Sequence, residues 1–320
     1  MISLIITVLN EKKNISAWFE SIQKQSLPLD EIVIVDGGSD DGTWEYLQEV
    51  QKKISNLNIF KSSGNIAEGR NFAIRETKGN IIVVTDAGCV YNTNWLEKIV
   101  QPIVAGNGKW SATAFGPWFE PSDSLLVYSI AAATVPEKNE FKKDWLPSSR
   151  SVAFTKELWH TVGGYPEWIP YCEDVIFDLK IKKTVGAPAF IREPLVFWRP
   201  RMNLLKYCKQ LYNYTRSEGH GNINFFRQLV RYGVYIGSVL IIVLAIIKSN
   251  WFWLPLFSGI VIYMSKFWRR WFSFTRDKNS IYQTGGLLVL PLAIVLGDIS
   301  KMVGYLVGVF ERTIGIIRKK

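Results

Sequence analysis

The stretch EIVIVDGGSDDGT, residues 31–43, joins an apolar, β-rich run to an acidic and glycine-rich turn. Residues 31–35 have the length and β-branched content of a fully buried strand. A similar apolar run, ISLIITVL, occupies residues 2–9. Between the two runs, apolar side chains recur at helical spacing at Ile15, Trp18, Phe19 and Ile22. This order predicts a strand, a helix and a second strand.

The same alternation continues downstream. It predicts helices near residues 43–53 and 67–77, and strands near residues 57–61 and 80–85. Strands separated by helices in this way imply an α/β fold with a mostly parallel sheet and helices on both faces. In such sheets ligands bind beyond the carboxyl ends of the strands, so the residues that follow each strand are the candidates for a binding site.

Acidic and glycine-rich segments follow these strands: Asn10-Glu11 after the first, residues 36–42 after the second, and Asp86-Ala87-Gly88 after the strand that ends near residue 85. Each of these strands therefore delivers a carboxylate to the same edge. Glu11 and Asp36 are placed to accept hydrogen bonds from a base or a ribose, and glycines beside Asp36 permit close approach. The same loop is also compatible with a simple turn and a helix cap.

The sequence contains Val8-Leu9-Asn10-Glu11, the segment from Ile34 to Thr43, Gly69-Arg70-Asn71 and Thr85-Asp86-Ala87-Gly88. In their order and spacing these motifs resemble those of the family 2 glycosyltransferases. Farther along, Gly163-Gly164-Tyr165-Pro166 and Cys172-Glu173-Asp174 look like the acceptor-side motifs of that family. The sequence resembles that family over roughly residues 1–220. The resemblance implies a Rossmann-like GT-A fold, a nucleoside-diphosphate sugar donor and inversion at the anomeric carbon. It divides the domain into a nucleotide-sugar half, residues 1–109, and an acceptor half, residues 110–220.

The resemblance also implies roles for individual residues. Glu11 and Asp36 would contact the nucleoside, Arg70 would help to hold the nucleotide, and Asp86 would lie at the metal ion and the pyrophosphate. Asp174 would be the general base, with Glu173 as its catalytic neighbour. The donor-binding set expected in this sequence is Thr7, Asn10, Glu11, Asp36, Gly37, Ser39, Asp41, Arg70, Asn71, Asp86, Gly88 and Arg199.

One motif departs from the family. The usual Asp-x-Asp reads Asp86-Ala87-Gly88 here, so the second carboxylate is absent. A divalent cation, Mg²⁺ or Mn²⁺, is still expected at Asp86, because Mg²⁺ keeps several waters and uses only one or two carboxylates plus substrate phosphates. Arg199 and Arg201 follow a predicted strand and either hold the donor diphosphate or face solvent or lipid.

The pair Glu173-Asp174 bears on the acceptor. Displacement of a nucleoside diphosphate by a hydroxyl requires a base, and adjacent helical side chains diverge, so one of the two is expected to face the acceptor. An acidic helix start stabilised by the helix dipole is the plainer interpretation. An ionised phosphate acceptor needs no base, so the pair favours a hydroxyl, such as one on a lipid-linked glycan. The alternatives are a polyprenyl-phosphate sugar synthase and a non-catalytic scaffold that binds a nucleotide or a glycan.

The end of the chain, residues 221–320, is predicted to be a membrane-associated helical region, preceded by amphipathic helices over residues 203–231. Apolar runs at residues 232–247 and 251–267 are close to the length of a spanning helix. A third run, residues 285–310, contains Asp298 and Lys301 one turn apart, and either crosses, re-enters or lies on the surface. The two charges are expected to form an i,i+3 pair at the surface, with a functional intramembrane site as the alternative.

The net charge of +10 comes partly from basic residues that flank these apolar runs. Such residues meet anionic lipid headgroups, so membrane lipids are expected as partners and nucleic acid is not. The positive-inside rule then predicts a multi-pass protein of the cell membrane with a cytoplasmic catalytic domain. The cysteines, Cys89, Cys172 and Cys208, form no C-x-x-C pair, so neither a disulfide framework nor a zinc site is indicated.

Overall fold

The computed structural model describes residues 1–142 and 145–316. The chain forms two compact units. The first consists of Met1–Trp118 and Pro136–Arg199, and the second consists of Phe119–Val135 together with the chain from Pro200 onward. The second unit therefore begins earlier than the predicted boundary at residue 220 and takes in a segment from the middle of the chain.

The helices and strands of the described residues follow in chain order. They are β1 (Ile2–Val8), α1 (Ile15–Gln23), β2 (Glu31–Asp36), α2 (Thr43–Gln51), β3 (Leu57–Lys61), α3 (Ile66–Glu76), β4 (Ile81–Asp86), β5 (Cys89–Tyr91), α4 (Trp95–Val104), β6 (Trp110–Pro117), α5 (Leu125–Thr134), β7 (Ser151–Thr155), α6 (Lys156–Val162), α7 (Glu173–Val185), β8 (Ala189–Trp198), α8 (Leu204–Gly221), α9 (Phe225–Ile247), α10 (Trp253–Phe274) and α11 (Ser280–Thr313). The predicted alternation over the first part of the chain is confirmed.

The strands form a mixed sheet in the order β3-β2-β1-β4-β7-β6-β8-β5. The expected parallel pairing holds for β1 to β4, where β1 pairs with β2 and β4, and β2 pairs with β3. Beyond β4 the sheet is mixed, because β7 runs antiparallel to both β4 and β6. Strand β8 pairs parallel with β6, and β5 runs antiparallel to β8. Every residue of β2 is buried, which is typical of a parallel strand covered on both faces.

Two apolar clusters cover the two faces of this sheet. Leu4 and Ile6 of β1 belong to one cluster, and Ile5 between them belongs to the other, as the two-residue period of a strand requires. Trp18 of α1 and Trp95 of α4 are fully buried in the first cluster. From β1 the chain adds β2 and then β3 on one side of β1, and it then returns to place β4 on the other side. The strand order therefore reverses at β1. Ligands bind at such a reversal in open α/β sheets.

Glycines allow α8 and α11 to pack closely in the second unit. A Cβ added at Gly308 of α11 would overlap the carbonyl group of Arg216, and a Cβ at Gly304 would overlap that of Tyr212. A Cβ at Gly219 of α8 would lie 2.6 Å from the carbonyl oxygen of Tyr305. This backbone contact explains why α8 belongs to the second unit and not to the sheet domain.

The predicted pair between Asp298 and Lys301 is present, with 3.1 Å between Lys301 Nζ and Asp298 Oδ1. The carboxylate is buried and not at the surface as expected, since the residue is 2% exposed. Arg231 Nε lies 3.3 Å from Asp298 Oδ1, and the hydroxyl of Tyr235 donates to Oδ2 at 3.2 Å. The hydroxyl of Tyr263 donates to the same oxygen. Asp298 therefore joins side chains of α9, α10 and α11.

Two of the described helices, α9 and α11, are long and apolar enough to cross a membrane, with mean hydropathies of 2.2 and 1.9. The prediction for residues 232–247 corresponds to α9, and the uncertain third run is part of the continuous α11. The second predicted span, residues 251–267, is not among the described helices that are long and apolar enough to cross a membrane. It belongs to α10, whose C-terminal half carries Lys266, Arg269 and Arg270.

The glycine contact of α8 with α11 gives a stability prediction. Gly308→Ala is expected to destabilise the second unit by about 1–3 kcal/mol, because the added methyl group overpacks a backbone contact. Gly233→Ala in α9 is the matched control, since no atom lies within 4 Å of its added Cβ. It is expected to stabilise its helix by about 0.5–1 kcal/mol. Melting curves of the purified chain in detergent measure both, and equal changes at the two positions would contradict the packing.

Candidate active site

The loop that follows β1 is hydrogen-bonded to the loop that follows β2. The amide of Asn10 donates to Ser39 Oγ at 2.9 Å, and Asn10 Oδ1 accepts from the amide of Asp40 at 2.9 Å. The amide of Glu11 donates to Thr43 Oγ1 at 3.0 Å. Asn10 has a φ of 57°, a left-handed conformation that asparagine tolerates better than most residues. The structure thus brings Asn10, Glu11 and Ser39 together at one edge of the sheet.

Asp41 belongs to the same pair of loops. Its Oδ2 accepts from the amide of Lys12 at 3.1 Å, and its Oδ1 accepts from the amide of Thr43 at 3.0 Å. The hydrogen bond from the Thr43 hydroxyl lowers the pKa of Asp41 below its ordinary value. Asp41 therefore links the loop after β1 to Thr43, the first residue of α2, whose N-cap residue is Gly42.

Asp36, at the end of β2, has a different role from Asp41. It is fully buried, and its Oδ1 accepts from the amides of Gly38 and Ser39 at 2.7 Å each. Its Oδ2 has no hydrogen-bond partner among the residues that the structure describes. The amide of Gly37 donates to the carbonyl of Val8 at 2.9 Å, so the loop turns directly across the end of β1. The buried Oδ2 is an acceptor that a ligand can satisfy.

Thr7 lies beside this loop, on β1. Its Oγ1 is buried and likewise lacks a hydrogen-bond partner within the described ranges. A Cβ added at Gly69 of α3 would lie 3.0 Å from Thr7 Cγ2, so the glycine lets α3 pack directly on β1. This close approach places the next residue, Arg70, beneath the carboxyl ends of the strands.

Arg70 is buried and lies between two carboxylates. Its Nη2 is 3.2 Å from Asp86 Oδ1, and its Nη1 donates to Glu173 Oε1. The guanidinium also lies over the ring of Tyr165, 5.4 Å from the centroid. Burial acts to lower the pKa of Arg70, but the carboxylates of Glu173 and Asp86 raise it above its ordinary value. This arginine therefore joins the end of β4 to the start of α7.

Asn71 does not face the donor edge with Arg70. Its Nδ2 donates to the carbonyl of Tyr165 and to Glu167 Oε1, both at 2.8 Å. Its Oδ1 accepts from the amide of Tyr165 and from Trp159 Nε1. The side chain predicted to bind the donor thus holds the loop around Gly164. A cavity of about 330 Å³ lies there, and its lining contains none of Asp36, Asp86 and Asp174.

The predicted catalytic pair starts α7, which begins at Glu173 as expected. Glu173 is turned inward to Arg70 and is 5% exposed, and burial raises its pKa to about 7 despite the attraction of Arg70. Asp174 is half-buried, and its Oδ2 lies 3.4 Å from the amide of Ser149. The two side chains therefore diverge, and Asp174 is the more accessible of the two.

Asp178 is a residue that the sequence reasoning missed. It is 1% exposed, and neither carboxyl oxygen has a hydrogen-bond partner in the part of the chain that the structure describes. It lies one turn beyond Asp174 on α7, and burial and the charge of Asp174 raise its pKa well above the ordinary value. Its spacing of four residues from Asp174 was the available signal.

Arg150, just before β7, is a second residue that the sequence reasoning missed. Its Nε lies 3.8 Å from Asp86 Oδ2, and its guanidinium lies over the ring of Trp198, 4.9 Å from the centroid. The hydroxyl of Tyr91 donates to the Arg150 carbonyl at 2.9 Å. Arg150 reaches the site because β7 pairs antiparallel with β4, and no local sequence pattern indicates such a pairing.

The donor atoms at Asp86 do not fit the expected divalent cation. Arg70 approaches one carboxylate oxygen and Arg150 approaches the other, so a metal ion would lie beside two positive groups. Gly88 brings no ligand atom from a side chain, and its carbonyl accepts from the amide of Arg199 at 3.1 Å. No group of at least three His, Cys, Asp or Glu side chains suited to a metal occurs in residues 1–142 and 145–316.

A family model described as Glycosyl transferase family 2 matches residues 3–115. Residues 3–115 therefore form a glycosyl transferase family 2 domain. Glycosyltransferase AglE from Haloferax volcanii is 34% identical over 136 residues, which cover 39% of this chain and 44% of the relative. Dolichol-phosphate mannosyltransferase from Pyrococcus furiosus is 26% identical over 232 residues, 68% of this chain and 64% of the relative. The matches thus span less than two thirds of both relatives.

The fold of the family 2 domain is confirmed as GT-A by solved structures. The mannosyltransferase PcManGT from Pyrobaculum calidifontis, solved with GDP-Man and Mn²⁺, has a TM-score of 0.53 and 18% identity. The alignment covers 98% of this chain and 86% of that one. At this identity the likeness shows the fold.

Asp178 gives the first unit a testable dependence of stability on pH. Since burial raises its pKa in the folded state, wild type loses stability relative to Asp178→Asn as the pH rises above the unfolded pKa of about 3.9. The loss grows by about 1.4 kcal/mol per pH unit until the folded pKa is passed. The difference in melting temperature between variant and wild type should therefore increase with pH and then become constant.

The control for this titration is Asp277→Asn, which removes an exposed carboxylate. The same melting curves are recorded from pH 4 upward, a range set by that unfolded pKa of about 3.9. A difference for Asp178→Asn that falls as the pH rises would show that the buried carboxylate is stabilised as an anion.

Proposed function

We propose that the chain is an inverting glycosyltransferase. It moves a sugar from a nucleoside-diphosphate sugar to a hydroxyl of a membrane-associated, lipid-linked glycan. The observation that carries the proposal is the set of carboxylates at the carboxyl ends of β1, β2 and β4, in a family 2 domain where β1 marks the reversal of strand order. Direct displacement at the anomeric carbon needs a donor site and a base, and both have candidate residues here.

Asp36 and Thr7 support the nucleoside part of the site. A buried carboxylate oxygen without a partner costs free energy unless a ligand supplies a donor. The base N–H groups and the ribose hydroxyls of a nucleotide are such donors, and Asp36 Oδ2 is available to accept from them. Glu11 is fixed nearby through its backbone bond to Thr43. We propose Asp36 as the main nucleoside contact.

Asp174 is proposed as the general base. Its neighbour Glu173 is committed to Arg70, which leaves the half-buried Asp174 as the carboxylate that can meet an acceptor. The acceptor hydroxyl gives its proton to Asp174 while the hydroxyl oxygen forms a bond to the anomeric carbon. At the same time the bond from the anomeric carbon to the diphosphate breaks on the opposite face. The nucleoside diphosphate leaves with the bonding electron pair, so the configuration inverts.

The proposed acceptor and location follow from the helical unit. Both α9 and α11 are candidate spans, and the exposed side chains of α9 are largely apolar. We propose a multi-pass protein of the cell membrane whose catalytic domain is cytoplasmic. Membrane lipids and a lipid-linked acceptor are then its partners, and the similarity to a dolichol-phosphate mannosyltransferase supports a lipid-borne acceptor.

That same relative favours a second candidate, a polyprenyl-phosphate sugar synthase. Its similarity extends over 68% of this chain, well beyond the family 2 match. The two functions differ in chemistry at the acceptor, because an ionised phosphate oxygen attacks without a base. Asp174 would then be dispensable for turnover.

Substitution of Asp174 tests the proposal. Wild type is screened with radiolabelled nucleotide sugars and a membrane lipid extract, and the active donor is used for kinetics. Asp174→Asn is expected to lower kcat by about 10²–10⁴-fold, the usual contribution of a general base. Asp36→Ala is expected to raise the KM for the donor about 10–100-fold through lost hydrogen bonds to charged groups. Glu157→Gln, an exposed acid on α6, is the control.

The chemistry of the reaction product distinguishes the proposed transferase from the polyprenyl-phosphate sugar synthase. Sugar released from lipid phosphate by mild acid, together with full activity of Asp174→Asn, would replace the proposal by the synthase. A wild type that binds nucleotide but consumes none of the donors would indicate a binding scaffold.

A further inference from the structure

We infer that the diphosphate of the donor is held by Arg150, supported by Arg199, in the place where a GT-A enzyme with an intact Asp-x-Asp motif holds a divalent cation. The inference rests on the proposed function, because it needs a nucleoside-diphosphate donor at this edge of the sheet. It concerns what neutralises the phosphate charge and goes beyond the identity of donor and acceptor.

The first observation is the state of Asp86. Its two oxygens face two different arginines, with Arg70 Nη2 at 3.2 Å from Oδ1 and Arg150 Nε at 3.8 Å from Oδ2. Arg70 is 3% exposed and also pairs with Glu173, so it is a fixed part of the core. A divalent cation on Asp86 would have to displace or repel these guanidiniums. Asp86 is therefore better suited to position Arg150 than to bind metal.

The second observation is the surface of Gly88. A Cβ added there meets no atom within 4 Å, so the place of the missing carboxylate is open space. The Gly88 carbonyl accepts from the amide of Arg199 at 3.1 Å, which ties the end of β8 to this segment. Arg199 Nη1 also donates to the carbonyl of Trp118 at 3.1 Å. An opening beside Asp86 is thus bordered by Arg150 and by the backbone that carries Arg199.

The third observation is the way in which Arg150 is held. Its guanidinium lies over Trp198, with the Phe115 ring 5.9 Å away, and its side chain is 18% exposed. The Tyr91 hydroxyl donates to the Arg150 carbonyl at 2.9 Å and accepts from the amide of Asp86 at 3.1 Å. One tyrosine therefore fixes the backbones of Arg150 and Asp86 relative to each other.

A guanidinium held in this way suits a phosphate. Arginine forms bidentate, charge-assisted hydrogen bonds with phosphate oxygens, and its charge persists at every physiological pH. A cation that is already oriented stabilises the charge that develops on a leaving diphosphate without reorganisation. Arg150 thereby serves donor binding and the departure of the nucleoside diphosphate, while Asp86 acts as its positioning residue.

Calorimetry on the metal-free full-length chain in detergent tests this inference. Nucleoside diphosphates of the common bases, and the matching nucleosides, are titrated with EDTA present and then with Mn²⁺. We expect the preferred diphosphate to bind in EDTA with a Kd within about tenfold of that in Mn²⁺. Arg150→Ala is expected to weaken the diphosphate about 10–100-fold, the value of hydrogen bonds to a charged group, and to leave nucleoside affinity unchanged.

Two further variants keep the result interpretable. Arg192→Ala removes an exposed arginine from β8 and should bind like wild type. Arg150→Lys keeps the charge and loses the bidentate geometry, so its diphosphate affinity should fall between those of wild type and Arg150→Ala. If Arg150→Ala does not fold, as judged by its melting curve, the Lys variant carries the comparison.

Three results would overturn the inference. If wild type binds the diphosphate only when Mn²⁺ is present, the inference is wrong and the proposed function stands. Equal weakening of nucleoside and diphosphate by Arg150→Ala shows a merely structural arginine. Failure of every nucleoside diphosphate to bind, with or without Mn²⁺, removes the proposed function and this inference together.

Discussion

The guanidinium of Arg70 lies inside the first unit, with Asp86 of β4 on one side and Glu173 of α7 on the other. Loss of one partner from a buried ion pair costs about 3–5 kcal/mol, whereas an exposed pair contributes at most about 1 kcal/mol. Asp86 and Glu173 are far apart in the sequence, and the arginine keeps both carboxylates in place. Asp86 is thereby fixed for Arg150, and Glu173 is held inward while Asp174, beside it, stays accessible. The proposed donor and acceptor chemistry both depend on this contact.

The parallel part of the sheet explains why the nucleoside site lies where it does. Strands β1, β2 and β4 are buried, run in one direction and end together, so their following loops meet at one edge. The loop hydrogen bonds of Asn10, Asp41 and Thr43 fix that edge without using Asp36 Oδ2. A fold stabilised by apolar strands thus leaves the buried Asp36 Oδ2 for a ligand.

The sequence predicts this half of the domain well, because buried strands and amphipathic helices have local periodicities and the acidic loops follow them directly. The sequence does not predict the contacts that depend on pairing between distant segments of the chain. Arg150 comes to Asp86 through the antiparallel β7, and Asn71 turns away from Arg70 because its amide binds the backbone of Tyr165. The second unit shows the same limit, since α5 joins α10 and α11 across a long stretch of chain, as in the bond from Arg270 to the Ala132 carbonyl.

The central claim is that a nucleoside diphosphate binds at the carboxyl ends of β1, β2 and β4. Hydrogen–deuterium exchange of the full-length chain, with and without the preferred nucleoside diphosphate, tests it most directly. We expect slower exchange in the segments at residues 9–12, 37–43 and 87–91, with α9 and α11 unchanged. Unchanged exchange in these segments, or protection confined to the helices of the second unit, would contradict the claim.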